Sequence, residues 1–226
     1  TSSGEEANYG GMYIAVVAGG EPGIVSNNLI KNNSGQWAGG AYFETGNNGI
    51  LTVSENKVIN NTGDYAGGIF IHKGSGTLNV QNNTIHNNGL ESYSVDPARP
   101  SAIWVYTQNS PDASISENSI TGHSGTTLIL VACADRNTPM DCTNEGGLSV
   151  ASINNNNLIN NSATYGIYDV HRDGSDTVNA ENNWWGTIDP IELQTLTYDW
   201  NDNATKEQID RSNKLSFDPI SQLENE

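Results

Sequence analysis

Asn56-Lys57-Val58-Ile59-Asn60-Asn61 decides the fold, because the same frame keeps returning along the chain. It recurs as Asn28-Leu29-Ile30-Lys31-Asn32-Asn33, Asn83-Thr84-Ile85-His86-Asn87-Asn88 and Asn156-Asn157-Leu158-Ile159-Asn160-Asn161, with degenerate copies starting at Asn118 and Asn182. The first Asn residues lie 28, 27, 35, 38 and 26 positions apart, which marks insertions around 89–100 and 132–147. A short alternating strand precedes each copy, as in Leu51-Thr52-Val53-Ser54 and Leu78-Asn79-Val80-Gln81. A second strand follows: Gly39-Gly40-Ala41-Tyr42-Phe43, Gly67-Gly68-Ile69-Phe70-Ile71, Ala102-Ile103-Trp104-Val105 and Gly166-Ile167-Tyr168. No such unit buries its apolar side alone, so the units must stack into a solenoid. Asn side chains at one corner of successive coils can then hydrogen-bond amide to amide. The Leu-x-x-Leu-x-Leu frame of a leucine-rich repeat is absent.

Composition agrees. The 226 residues include 32 Asn and 24 Gly, while 26 acidic against 9 basic side chains leave a net charge of -17. That balance argues against a nucleic-acid partner, since little here would neutralise a run of phosphates. No apolar run approaches the roughly 18 to 20 residues that span a bilayer. Cys133 and Cys142 are close enough to staple one irregular loop, and a disulfide between them is expected.

The Asn-x-Ile-x-Asn-Asn … Gly-Gly frame resembles the right-handed parallel β-helix repeat of pectate-lyase-like secreted and surface proteins. The Gly-Gly strands are also similar to repeats of bacterial polymorphic outer-membrane proteins. Glu181-Asn182-Asn183-Trp184-Trp185-Gly186-Thr187 is similar to a run that closes such helices. The resemblance covers about residues 8–190 and implies an all-β, single-stranded right-handed parallel β-helix of about 6–7 coils, extracellular or on a cell surface. Residues 1–187 are assigned to the helix and 188–226 to a C-terminal cap, with a helix from Asp189-Pro190 through Ile191, Leu193, Leu196 and Tyr198. Tyr9-Gly10-Gly11-Met12-Tyr13 reads as the second half of a unit, so the first coil is expected to be incomplete and to continue upstream in a longer protein.

The strand after Gly-Gly places Ile69 and Ile71 inward and Phe70 and His72 outward. Across units the outward position holds Tyr13, Tyr42, Phe70, Trp104 and Tyr168, a stripe that reads either as a sugar-binding platform or as an aromatic ladder stabilising the sheet. A second aromatic recurs at the preceding corner: Tyr9, Trp37, Tyr65 and Tyr165. Lys73, Arg136 and Arg172 are placed along the edge of that face, with His72, Arg99 and His171 nearby, where they would pair with uronate or sulfate groups. Tyr42, Phe70, Trp104, Tyr168, Lys73, Arg136 and Arg172 are therefore the candidate ligand-binding residues.

The expected function is non-catalytic binding of a polysaccharide or surface partner. The alternatives are a polysaccharide lyase or glycoside hydrolase on the same face, and a stalk or filament subunit assembling end to end. His72, Lys73 and Tyr106 are weak catalytic candidates for a lyase, which needs a base and a group to neutralise a carboxylate. For a hydrolase, Glu44 and Asp169 are read as outward or nearly so, but several coils apart and too distant to share one bond. The polygalacturonase-like motifs are absent, Gly122-His123-Ser124 being the nearest approach to Gly-His-Gly. No cofactor is expected. A Ca²⁺ frame at Asp199, Asn201, Asn203 and Asp210 is weak, because Ala204 stands where the sharp turn needs Gly. Sequons occur at Asn32, Asn60, Asn82, Asn160 and Asn203.

Overall fold

The computed structural model describes residues 9–16, 20–91, 99–107, 113–132, 151–169, 177–199 and 208–216. Within them the chain winds as a right-handed parallel β-helix, and every named strand pair is parallel. A first sheet of seven strands stacks Met12–Val16, Ala41–Thr45, Ile69–Lys73, Pro100–Thr107, Thr127–Ala132, Tyr165–Asp169 and Thr197–Tyr198. A second, also of seven, stacks Gly23–Ser26, Ile50–Ser54, Thr77–Gln81, Ala113–Ser116, Ala151–Asn154, Thr177–Asn179 and Gln208–Asp210. Two narrower sheets close the cross-section: Leu29–Lys31 with Lys57–Ile59, Thr84–His86 and Ser119–Thr121, and Ser34–Gly35 with Thr62–Gly63 and Gly89–Leu90. The core is the column between them, with Phe43, Ile71, Val105 and Val131 from the first sheet meeting Leu51, Val53, Leu78 and Ile115 from the second.

The repeated Asn-Asn pair divides two tasks between its members. The first takes the left-handed conformation that turns the corner, as at Asn32 (φ 57), Asn60 (φ 54) and Asn82 (φ 55), because Asn tolerates that region better than most residues. The second points inward and builds the ladder. Asn28, Asn56, Asn83, Asn118 and Asn156 each pass Nδ2–H to the Oδ1 of the next, the last of them Asn183, at 2.9–3.0 Å, and that Oδ1 also accepts the preceding coil's backbone N–H. The degenerate last copy is thus in frame at Asn183, one residue later than the sequence suggested, with Asn182 (φ 57) turning the corner.

A second ladder runs Asn33, Asn61, Asn88 and then meets His123, whose backbone N–H donates to Asn161 Oδ1. The His123 ring is 1% exposed, with Nδ1 3.2 Å from the Asn88 carbonyl and Nε2 3.1 Å from that of Ile85. The nearest approach to a Gly-His-Gly motif is thus an interior substitute for an amide. Burial pushes its pKa down to about 4, against the carbonyl contacts that pull it upward.

Two elements depart from expectation. Thr127–Ala132 is an additional strand of the first sheet, buried at all six positions, so it lacks the alternation that marked its neighbours. At the C-terminal end the helix is shorter than expected, Pro190–Thr195, capped by Asp189 with Leu193 in the core. Thr197–Tyr198 then returns to the first sheet and Gln208–Asp210 to the second, so the segment assigned to the cap also lengthens the solenoid. Trp185, 5% exposed, belongs to the core near this end, its ring against Gly166.

Two outcomes test this account. Asn118→Ala removes the acceptor of Asn83 and the donor to the Val80 and Ser116 carbonyls. It is expected to cost about 3 kcal/mol in urea unfolding. Because folded His123 resists protonation, the unfolded chain binds more protons once pH falls below the ordinary value of 6.5. Its share of stability, complete above that value, is lost as pH drops towards 4, by roughly 3 kcal/mol. His123→Asn should remove that loss from the stability–pH curve, and parallel curves for the two proteins would refute the assignment.

Candidate functional site

The aromatic stripe exists and is longer than the sequence revealed. In register along the first sheet stand Tyr13, Tyr42, Phe70, Trp104, Leu130, Tyr168 and Tyr198. Tyr42 and Phe70 stack at 4.9 Å and 2°, and Tyr168 and Tyr198 at 4.4 Å and 4°. Leu130 interrupts the rings in the strand that the sequence reading lacked.

Most of this stripe is covered. Tyr42 is 8% exposed, Phe70 4% and Trp104 6%. The corner aromatics cover it in a staggered fashion, each leaning on the ladder ring one coil further along. Tyr9 packs edge-on against Tyr42, Trp37 against Phe70, and Tyr65 tilts against Trp104. Arg99 lies 4.7 Å over the Tyr65 ring and donates to the Asp64 carbonyl. Alternation correctly put these rings outside the core column, but their own neighbours form a second apolar cluster there.

That burial corrects the expectation that they present a wide open platform. Phe70→Ala should cost about 3 to 5 kcal/mol of stability rather than leave unfolding untouched. A thermal melt within a degree or two of wild type would show the ring to be dispensable to the fold.

Among the described residues the most exposed Tyr, Trp and Phe rings are those of Tyr9 and Tyr13, at and beside the first strand of this sheet. Tyr9 and Tyr13 stack at 4.6 Å and 20°, exposed by 36% and 45%. Beside them, two residues along each strand, runs a polar row in which Glu44 pairs with His72 and His72 with Tyr106. The Tyr13 hydroxyl donates to Glu44 Oε2 at 2.9 Å, and Glu44 Oε1 lies 3.8 Å from His72 Nδ1. Tyr42 Oη is 3.1 Å from the same nitrogen, and the His72 and Tyr106 rings are centred 4.8 Å apart.

Partial burial, then Glu44, pushes the Tyr13 hydroxyl up to about 12, and burial followed by Glu44 raises Tyr42 further. Burial lowers His72, with Glu44 opposing it, so the ring stays neutral near pH 7. The cluster therefore offers a carboxylate acceptor, a neutral imidazole and protonated phenols next to two open ring faces.

The other sequence candidates fall elsewhere. Lys73 pairs in register with Thr45 and Thr107 and is fully buried, its Nζ donating to the Gly74 carbonyl. It follows Ile69 and Ile71 on the inward side and leaves no cationic group at that edge position. Asp169 also points inward, opposite Val131, while Glu44 faces out. Asp199 is buried, accepting from the Ile209 N–H and lying 3.9 Å from Arg211. Asp210 accepts from the Ser212 N–H. Arg136, Arg172, His171, Cys133, Cys142, Asn201 and Asn203 lie outside the described residues. Among the described residues, no three His, Cys, Asp or Glu side chains gather as a metal site, and no helix is long and apolar enough to cross a membrane.

Parallel coils, amide ladders and an outward row of rings are now joined by a direct match of residues 2–120 to the right-handed beta helix region family. The chain belongs to that family. No curated protein and no solved structure matches it. In this β-helix the sequence signal for the exposed cluster was Tyr9 and Tyr13 aligning with the later Gly-Gly strands. Glu44 and His72 stand at one register position two residues beyond the rings, which only the pairing reveals.

Proposed function

We propose that this β-helix is a non-catalytic module of a secreted or cell-surface protein that binds a neutral glycan at the Tyr9–Tyr13 end of its first sheet. The observation that carries the reading is the exposed, stacked Tyr9–Tyr13 pair with the Glu44 carboxylate hydrogen-bonded beside it. Sugar rings pack their apolar faces on aromatic rings, and a flanking carboxylate accepts from their hydroxyls. The described part of this face sets Glu44 and a neutral His72 where an acidic glycan would call for cations.

Screening the chain on neutral and acidic glycans tests this reading. Neutral oligosaccharides should bind, and both Tyr13→Ala and Glu44→Gln should weaken binding about tenfold or more with little change in melting temperature. Equal binding by wild type and both variants would remove the site from this face.

A second reading follows from the meeting of His72 and Tyr106. In a polysaccharide lyase the neutral His72 imidazole would take the proton from the carbon next to a uronate carboxylate. A C=C bond would form as the glycosidic C–O bond breaks, and the phenol of Tyr106, 5% exposed behind it, would return a proton to the departing oxygen. Release of unsaturated, ultraviolet-absorbing products, lost in His72→Ala, would establish that activity.

A further inference from the structure

The side wall of the solenoid changes towards its C-terminal end. The four-stranded sheet stops at Ser119–Thr121 and the three-stranded sheet at Gly89–Leu90, while both wide sheets run on through further coils. Beyond that point single bridges, Ser119 to Asn157 and Asn157 to Trp184, continue the line of the four-stranded sheet. Residues 158–164 and 185–189 then pass this side without a strand. A cavity of about 350 Å³ lies there against the apolar column. Leu128, Leu158 and Trp185 of the core line it, together with Ile159, Ala163 and Leu196.

Small residues keep the space open. Gly186 takes the left-handed conformation (φ 83) directly after the Trp pair, and a Cβ there would come within 3.3 Å of Ile159 Cγ2. Among the described residues no charged side chain lines the cavity, in a chain with 26 acidic and 9 basic residues. Its polar groups are mostly spent. The Asn161 amide donates to the Ile120 and Leu158 carbonyls and accepts from the His123 N–H. The Leu196 carbonyl accepts from Gly166 and Ile167, and that of Trp184 from Leu158. Trp185 is the exception, for its side chain is 5% exposed and its Nε1–H is buried without a hydrogen-bond partner.

We propose that this cavity binds a small, uncharged, largely apolar molecule carrying one hydrogen-bond acceptor oxygen, as an aryl or cyclic ketone does. Its volume falls at the small end of ligand sites, which run from roughly 300 to 1,000 Å³ and pair apolar walls with a few placed polar groups. An ionised ligand would lose its hydration here with no counter-charge to replace it. A sugar would leave most of its hydroxyls unpaired against aliphatic walls. Water alone is a poor occupant, because a held water needs about two to four polar partners and Trp185 supplies one unspent donor. A ligand oxygen that accepts from Trp185 Nε1–H relieves a buried donor, and an apolar body that displaces loosely held water gains affinity. The cavity stands apart from the Tyr9–Tyr13 face, so the proposal does not rest on the glycan reading.

Calorimetric titration with 2-acetylnaphthalene, and with 2-isopropylnaphthalene as its counterpart lacking the oxygen, tests the proposal. The ketone should bind saturably and about fivefold or more tighter than the hydrocarbon. In the ¹⁵N-labelled chain, the indole N–H signal that Trp185→Phe removes should shift with the ketone and far less with the hydrocarbon. Trp185→Phe should bring the two probes to equal affinity. Ala163→Leu, which grows into the cavity, should abolish binding of both at an unchanged melting temperature. Should either variant melt lower, the indole shift in the wild-type chain decides alone. No saturable binding of either probe, equal affinity of the two for the wild-type chain, or ketone binding undiminished in Ala163→Leu overturns the proposal. Oligosaccharide binding that Ala163→Leu abolishes, without ketone binding, also overturns it and assigns the cavity to a sugar.

Discussion

The structure depends on one hydrogen bond repeated, the Nδ2–H···Oδ1 contact between Asn side chains in successive coils. A short parallel coil has a difficulty at its corners, where the backbone leaves one sheet before joining the next and its N–H and C=O groups lose their ladder partners. A buried amide answers that need, since it donates twice and accepts twice. Asn118, for example, receives the Asn83 N–H, donates to the Val80 and Ser116 carbonyls, and hands the chain of bonds on to Asn156. With the corners satisfied, the strands between them can be short, most of them two to six residues, and the coil closes around a narrow apolar column.

That arrangement has a conformational cost at the residue before each ladder amide, which must enter the left-handed region. Asn fills most of these positions, while Glu55 and Glu117 occupy two of them with less suitable backbones. His123 shows how far the ladder tolerates substitution. A neutral imidazole has one N–H for two carbonyls, so it holds the corner at the expense of acid stability.

The faces of the solenoid diverge because the ladders relieve them of structural duty to different degrees. The first sheet adds a second apolar layer outside its backbone, with corner rings leaning across ladder rings coil by coil. Tyr9 and Tyr13 are the rings that this layer leaves most open among the described residues. Among the described residues the second sheet carries no such aromatic layer. Two faces of contrasting chemistry thus arise from one repeated backbone.

The sequence by itself determined the repeat, the parallel β-helix, the amide ladder and the register of the rings, because each is a periodic pattern in one dimension. It missed Thr127–Ala132, which is buried on both faces and so shows no alternation. Only the tertiary structure decided which outward groups are accessible. Trp37 lies five residues before Tyr42 in sequence yet covers Phe70 of the next coil, and no spacing along the chain reveals that lean. The same holds for Glu44 and His72, brought together by register, and for Lys73, which strand alternation carries inside. Periodicity sets which side of a strand a residue occupies, whereas exposure is set by what the neighbouring coils fold over it.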